Sequence, residues 1–203
     1  MPNLDNLVSI NKSLVKPASF TAAHAFIDDP ETIYLIPNPK RRISIRYGFE
    51  YYMRLNILAG GESYVTSPQF EGVALWSYSV KKISFSKTLA ANPLLTLRCG
   101  WRYISYQLEA NRIATEIKKK YAPAKHMYLS LLAVDPPQQG KGFASALLKP
   151  MLKKIDESHL AVYVETQNTK NVAMYEHFGF NLVNHITLFD GCCHLYAMVR
   201  DAR

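Results

Sequence analysis

The run Met127–Val134 is almost wholly apolar and ends at Pro136-Pro137. A polar, glycine-containing loop, Gln138–Gly142, follows. Phe143, Ala144, Leu147, Leu148, Met151, Leu152 and Ile155 then recur at i, i+3, i+4 and i+7. That period makes a helix with one apolar face. The run before the loop reads as a strand buried on both faces. A buried strand, a short glycine turn and a helix with one apolar side pack only as layers, which points to an α/β core. Pro150 lies inside the helix, lacks an N–H and crowds the carbonyl of Ala146, so a bend is expected there.

The turn also has chemistry. The first N–H groups of a helix have no partner within it. Here they gather at the positive end of the helix dipole, where glycines let a ligand approach the backbone. The segment Gln139-Gly140-Lys141-Gly142-Phe143-Ala144 is therefore an anion site suited to a phosphate or pyrophosphate. It is not a P-loop, which needs four residues between its glycines and then Lys-Ser/Thr. Nor is it a dinucleotide fingerprint, because Ser145 stands where the third glycine belongs.

Downstream, Ala161–Glu165 reads as a second buried strand. Asn168 or Thr169 can cap a short helix running to about Phe178, which Gly179 closes. Phe180–Leu188 and His194–Val199 read as a final antiparallel pair around Asp190-Gly191. Upstream, Ala18–Ile27 reads as a helix stopped near Pro30, and Arg42–Leu58 as another. Ser63–Thr66 and Val73–Tyr78 form a hairpin after Gly60-Gly61. Tyr103–Lys119 is a helix ending in Lys118-Lys119-Lys120, read as a solvated end that suits the dipole.

The chain has 203 residues, 48% hydrophobic and 20% charged, which fits one globular domain over 1–203. Its acceptor-side half would be about 1–125 and its cofactor half about 126–203. The net charge of +8 favours an anionic partner. Nucleic acid is not expected, since no helix-turn-helix or zinc-finger spacing is present. No apolar stretch approaches the ~20 residues of a membrane span, and Met1–Asn11 has no apolar signal region. The cysteines Cys99, Cys192 and Cys193 are odd in number, which suggests reduced thiols and a cytoplasmic location. Cys192-Cys193-His194 would alternate across a strand and not converge, so no metal is expected.

Two motifs carry a resemblance. Gln139, Gly142 and Ala144 match a loop of the form Gln/Arg-x-x-Gly-x-Gly/Ala. Asn171 and Tyr175, within Asn171-Val172-Ala173-Met174-Tyr175, match an asparagine followed by a tyrosine on the next helix. In this order the chain resembles the GCN5-related N-acetyltransferases (GNAT). It looks most similar to the puromycin N-acetyltransferase-like branch, through Val73-Ala74-Leu75-Trp76 and Val164-Glu165-Thr166. The resemblance implies an α/β (α+β type) fold: a splayed mixed β-sheet flanked by helices, with acetyl-CoA in the gap between two parallel central strands.

It further implies that the amides of Gln139, Gly140, Lys141, Gly142, Phe143 and Ala144 hold the pyrophosphate. The backbone of Val134 would pair with the pantetheine arm. The amide of Leu132 would face the thioester carbonyl, and Asn168 and Asn171 would reach the pantetheine or phosphate side. A primary amine of a small molecule would attack the thioester directly, in a ternary complex with no covalent enzyme intermediate. Tyr175 is the implied acid for the departing thiolate, because a phenol is protonated at neutral pH. For the base, Glu165 at the end of the second strand leads, with His194 and His126 as alternatives, or a water chain. Tyr34, Phe49, Tyr52, Trp76 and Tyr78 are candidate walls of the acceptor pocket. Asp28, Asp29 and Glu31 would either attract a cationic amine or cap a turn. A monomer or homodimer is expected. The competing readings are a protein N-terminal or lysine acetyltransferase and a catalytically silent acyl-CoA sensor.

Overall fold

The computed structural model describes residues 4, 6–79, 101–188, 191 and 193–203. Cys99, Cys192 and Asp190 fall outside them, so the thiol count and the Asp190-Gly191 turn are not addressed by the fold. The order is β1 (Val8–Ser9), α1 (Val15–Phe26), α2 (Pro30–Leu35), a 3₁₀ turn (Pro39–Ile45), α3 (Arg46–Leu58), β2 (Glu62–Val65) and β3 (Gly72–Tyr78). Then come α4 (Trp101–Tyr121), β4 (His126–Val134), a 3₁₀ turn (Pro136–Gln138), α5 (Phe143–Glu157), β5 (Ala161–Thr166), α6 (Thr169–His177), β6 (Asn181–Leu188) and β7 (Cys193–Arg200).

The strands form one seven-stranded sheet in the order β1-β2-β3-β4-β5-β7-β6. Of its pairs, β4 with β5 is parallel and the others are antiparallel. The helix α5 crosses between β4 and β5, as a parallel connection requires. Its stripe Leu147, Leu148, Met151, Leu152 and Ile155 packs on Ala74, Trp76, Met127, Leu129, Val162 and Val164, together with Tyr175 of α6. The opposite face carries α1 and α3 over Val65, Val73, Leu75, Leu131 and Ala133. There α4 covers Tyr163, Leu195, Ala197 and Val199. Leu148 is wholly buried, and truncating it to alanine costs about 2–5 kcal/mol through lost contact and cavity.

Three local expectations are corrected. Pro30 does not stop α1; it opens α2 at a first-turn position, where its missing N–H costs nothing. Arg42–Leu58 divides at Ile45 and Arg46 into a 3₁₀ turn and α3. Strand β4 is not buried on both faces: Ser130 is exposed, and Tyr128, Leu132 and Val134 are partly so.

The exposure of β4 has a cause in its pairing. Against β3 the register slips: Leu75 faces Leu131, yet Trp76 faces Leu129. Ser130 is the extra residue, a bulge that turns its hydroxyl onto the Leu75 carbonyl at 3.2 Å. Pairing of β4 with β5 runs from His126↔Ala161 to Leu129↔Val164 and stops at that point. Beyond it, β4 keeps β3 as far as Val134↔Gly72, and β5 keeps β7 as far as Thr166↔Tyr196. The two parallel strands therefore diverge from the bulge onward.

Candidate active site

The gap between the diverging strands has unpaired backbone on its β4 side. Asp135 donates its N–H to the Glu71 carbonyl at 2.8 Å, on the β3 side. Backbone groups of an extended chain alternate sides, so Ala133 also faces β3 while Leu132 and Val134 face the gap. The Val134 carbonyl accepts a hydrogen bond there from the Gln139 side-chain amide at 3.1 Å.

At the end of the gap lies the glycine loop. Gly140 and Gly142 have φ of +78° and +88°, which L side chains rarely adopt. Gly142 is the N-cap of α5, and neither a capping side chain nor an acid in the first turn satisfies that end. The first helical bond runs from Ala146 N–H to the Gly142 carbonyl at 3.0 Å. Among the described residues, the N–H groups of 140–145 find no backbone acceptor. The residues present fit a pyrophosphate: free N–H groups, a positive dipole end and open space where a Cβ would stand on either glycine. Lys141 donates to Gln138 Oε1 at 3.0 Å from this same loop.

Asn168 and Asn171 are engaged locally. Asn168 Oδ1 caps α6 by accepting from the Lys170 N–H at 3.0 Å, and Asn171 Nδ2 donates to Thr166 Oγ1 at 3.1 Å. They tie the start of α6 to the end of β5 and leave that helix end beside the gap.

Tyr175 and Glu165 lie on opposite faces of the sheet. Tyr175 is buried with the α5 cluster, its ring edge-on to Phe180 at 5.4 Å. Its phenol has no hydrogen-bond partner among the described residues, and burial holds its pKa above the ordinary value. Glu165 is on the α4 face. Its Oε2 accepts from the Tyr128 hydroxyl at 2.8 Å and its Oε1 from the Tyr163 hydroxyl at 2.8 Å. Burial raises this carboxyl above the usual range, while the two phenols and the Lys118 charge pull it back down.

Lys118 corrects the expectation of a solvated lysine run. Its ammonium lies over the Tyr128 ring, 4.2 Å from the centroid, and burial lowers its pKa. Lys119 and Lys120 remain exposed. The last turn of α4 thus places one of three lysines against the sheet, which composition alone did not distinguish from its neighbours.

His194 is exposed on β7, three residues from Ala197, which pairs with Glu165. Alternation sets it on the opposite face from Glu165. It meets His185 at 3.2 Å, while Cys193 beside it is buried. His126 is at the closed end of the β4–β5 pair, its Nδ1 2.6 Å from the Pro123 carbonyl and its Nε2 without a hydrogen-bond partner among the described residues. Burial lowers its pKa, against the pull of the Pro123 carbonyl. Of the expected acceptor walls, Trp76 belongs to the α5 core, Phe49 packs on Phe26, and Tyr78 donates to Glu62. Tyr52 does face the α4 side, donating to Gln107 Oε1 at 2.8 Å. Among the described residues, no three His, Cys, Asp or Glu side chains gather as metal ligands. No described helix is long and apolar enough to cross a membrane.

Comparison with known proteins follows the same lines. Residues 104–199 match the family model of the acetyltransferase (GNAT) domain. An uncharacterized N-acetyltransferase of Schizosaccharomyces pombe is 25% identical over 182 residues, covering 81% of this chain and 70% of its own length. The [ribosomal protein bS18]-alanine N-acetyltransferase of Escherichia coli is 30% identical over 98 residues, covering 47% of this chain; the match spans 62% of that relative's length. A solved structure from Corynebacterium glutamicum, described as histone acetyltransferase HPA2 and related acetyltransferase, superposes with a TM-score of 0.68. It is 21% identical over 98% of this chain and 96% of its own. With its parted parallel strands and its glycine loop, the chain has the fold of these GNAT structural neighbours, and its residues 104–199 are similar to the GNAT acetyltransferase domain.

Proposed function

We propose that this chain is an acetyl-CoA-dependent N-acetyltransferase that acetylates a primary amine of a small molecule within one catalytic domain. The observation that carries the reading is the parting of β4 and β5 after Leu129 and Val164, directly before a loop whose 140–145 N–H groups find no backbone acceptor among the described residues. The loop takes the pyrophosphate, and Leu132 and Val134 take the pantetheine as an added strand. The Gln139 amide that now sits on the Val134 carbonyl gives way to that strand. Within the family, Val73–Trp76 and Val164–Thr166 favour the puromycin-like branch.

The acetyl group lies at the apex of the gap, with Tyr175 on one face and Glu165 on the other. The neutral amine nitrogen forms a bond to the thioester carbon as the carbon–sulfur bond breaks. Glu165 receives the amine proton, directly or through one water, and Tyr175 gives a proton to the thiolate. A raised carboxyl pKa suits a base working near neutrality, and a buried phenol stays protonated until the thiolate forms. His194, on the opposite face from Glu165 and bonded to His185, has no part in this proton path. The partly exposed tyrosines and amides of the α4 side favour a compact amine.

A second reading has one observation in its favour, the 30% identity to an enzyme named for the alanine of a ribosomal protein. It would place the α-amine of a polypeptide in the same apex.

The test is thermal unfolding with acetyl-CoA, followed by CoA release on a panel of amines and peptides. A ligand at 100 times its dissociation constant adds about 2.7 kcal/mol, or roughly 5–11 °C at this size. A rise together with turnover on small amines supports the proposal. No rise at millimolar acetyl-CoA overturns it, and turnover on peptides alone selects the second reading.

A further inference from the structure

The strands β6 and β7 carry a pair of histidines that the proton path does not use. His185 is on β6 and His194 on β7, and both are exposed. In the β6–β7 register His185 sits opposite Tyr196, and Thr187 sits opposite His194. The two histidines are therefore diagonal neighbours, and alternation sends all four side chains to one face. His185 Nε2 lies 3.2 Å from His194 Nδ1, and the Thr187 hydroxyl is 3.4 Å from that same Nδ1. Neighbours along a strand diverge, as buried Cys193 and exposed His194 do. Across the strand pair the ring nitrogens converge.

Their spacing suits a metal ion. Two zinc–nitrogen bonds at a tetrahedral angle set their nitrogens about 3.3 Å apart, and the observed separation is 3.2 Å. An ion would replace the contact between the rings after small rotations of two exposed side chains. One of the rings is already held. The His185 ring stacks on Tyr196, with centroids 4.3 Å apart and planes 6° from parallel. Tyr196 is buried, and its hydroxyl is 3.0 Å from the Thr169 hydroxyl at the start of α6. A ligand ring that leans on a fixed wall loses less freedom on binding. The donor set also selects the metal. Imidazole suits zinc, nickel and copper, whereas magnesium and calcium take oxygen ligands. A net charge of +8 gives a hard cation no long-range attraction to this chain.

We infer that His185 Nε2 and His194 Nδ1 form a two-histidine site for a divalent transition-metal ion, with water in its remaining positions. The ion joins β6, at one edge of the sheet, to β7 through side chains as well as backbone. The site is separate from the transferase reading. Tyr196 and His194 have the opposite strand parity to Ala197, the partner of Glu165, so both rings are on the other face of the sheet from that carboxylate.

The experiment strips the full chain with EDTA, removes the chelator and adds Cu²⁺, Ni²⁺ or Zn²⁺, with Mg²⁺ as the control. Electron paramagnetic resonance of equimolar Cu²⁺ identifies the ligands, and thermal unfolding reads binding to the folded chain. The copper spectrum should show coupling to two imidazole nitrogens. Zn²⁺ at 100 times its dissociation constant should raise Tm by roughly 5–11 °C, and Mg²⁺ should not. Affinity should be highest for Cu²⁺ among the three metals. His185→Gln and His194→Gln should each remove the two-nitrogen pattern. Each should weaken Cu²⁺ binding by more than the roughly 10- to 100-fold lost with a group that merely orients a ligand. Both positions are exposed, so the metal-free Tm of each variant should stay within about 2 °C of wild type. A metal shift kept in both variants, coupling to a single nitrogen, or an equal shift with Mg²⁺ overturns the inference. A copper spectrum with a sulfur ligand moves the ion to a cysteine and overturns it too, as does the absence of both signal and shift. None of these readouts needs acetyl transfer, so failure of the site leaves the transferase reading standing, and failure of that reading leaves the site standing.

Discussion

The Tyr128 hydroxyl is 2.8 Å from Glu165 Oε2, joining β4 to β5 through side chains just where their backbones separate. If Glu165 is the base, Glu165→Gln should lower kcat by about 10²- to 10⁴-fold and leave acetyl-CoA binding intact, which calorimetry would check.

The same contact predicts a pH effect. The Tyr128 hydrogen bond and the Lys118 charge both lower the Glu165 pKa against the rise from burial. The base works as a carboxylate, so activity falls below its pKa. Tyr128→Phe and Lys118→Met should each move the acid limb of kcat/KM to higher pH. An unchanged limb in both variants would take Glu165 out of the proton path.

Tyr175 offers a cleaner separation of stability from chemistry. Its hydroxyl has no partner among the described residues, so Tyr175→Phe should change stability by less than about 1 kcal/mol. Loss of the proton donor should cost about 10²-fold in kcat or more. An acceptor amine whose CoA release is as fast in the variant as in the wild type would rule out the role.

Gly142 combines a φ of +88° with open space around its Cβ position. Gly142→Ala therefore costs strain and no clash, about 1–2 kcal/mol, or roughly 2–8 °C. The methyl would stand where the phosphates approach. The stabilisation by acetyl-CoA should shrink well beyond that loss, as a titrated thermal shift would read.

Asp156 and Arg200 make a stability prediction away from the site. Arg200 is 4% exposed and donates to both Asp156 oxygens, at 2.5 and 2.8 Å. Asp156→Asn should cost about 2–3 kcal/mol by leaving the guanidinium short of its counter-charge. The Arg200 hydrogen bonds hold the Asp156 pKa below its ordinary value. A depressed carboxyl contributes its stability above the unfolded pKa and loses it as pH falls through the folded one. The difference in Tm between wild type and variant should be steady from pH 5 to 8 and close below about pH 4.

The sequence made the cofactor half legible because its signals are local. The glycine turn, the stripe from Leu147 to Ile155 and the Asn168 cap are each set by neighbours within a few residues. Ser130 gave no such signal, since a bulge depends on which residue the next strand sets opposite it. Lys118 and Glu31 were missed or left open for the same reason. One reads as a solvated helix end and the other as a turn acid until α4 is laid across Tyr128 and Gln107 is brought to α2. His194 shows the converse: a suitable side chain whose strand parity turns it away from Glu165.

The position of β7 has a consequence for how the molecule is made. It follows β6 in the chain, but it lies between β5 and β6. During synthesis β5 therefore waits with one edge uncovered while α6 and β6 emerge. Residues 193–200, which follow β6 in the chain, close that edge and at the same time give β6 its partner in the sheet. The β5 edge that frames Glu165 thus settles only after β6 has been made, and a ribosome stalled before Cys193 would hold an open sheet edge prone to pairing with another chain.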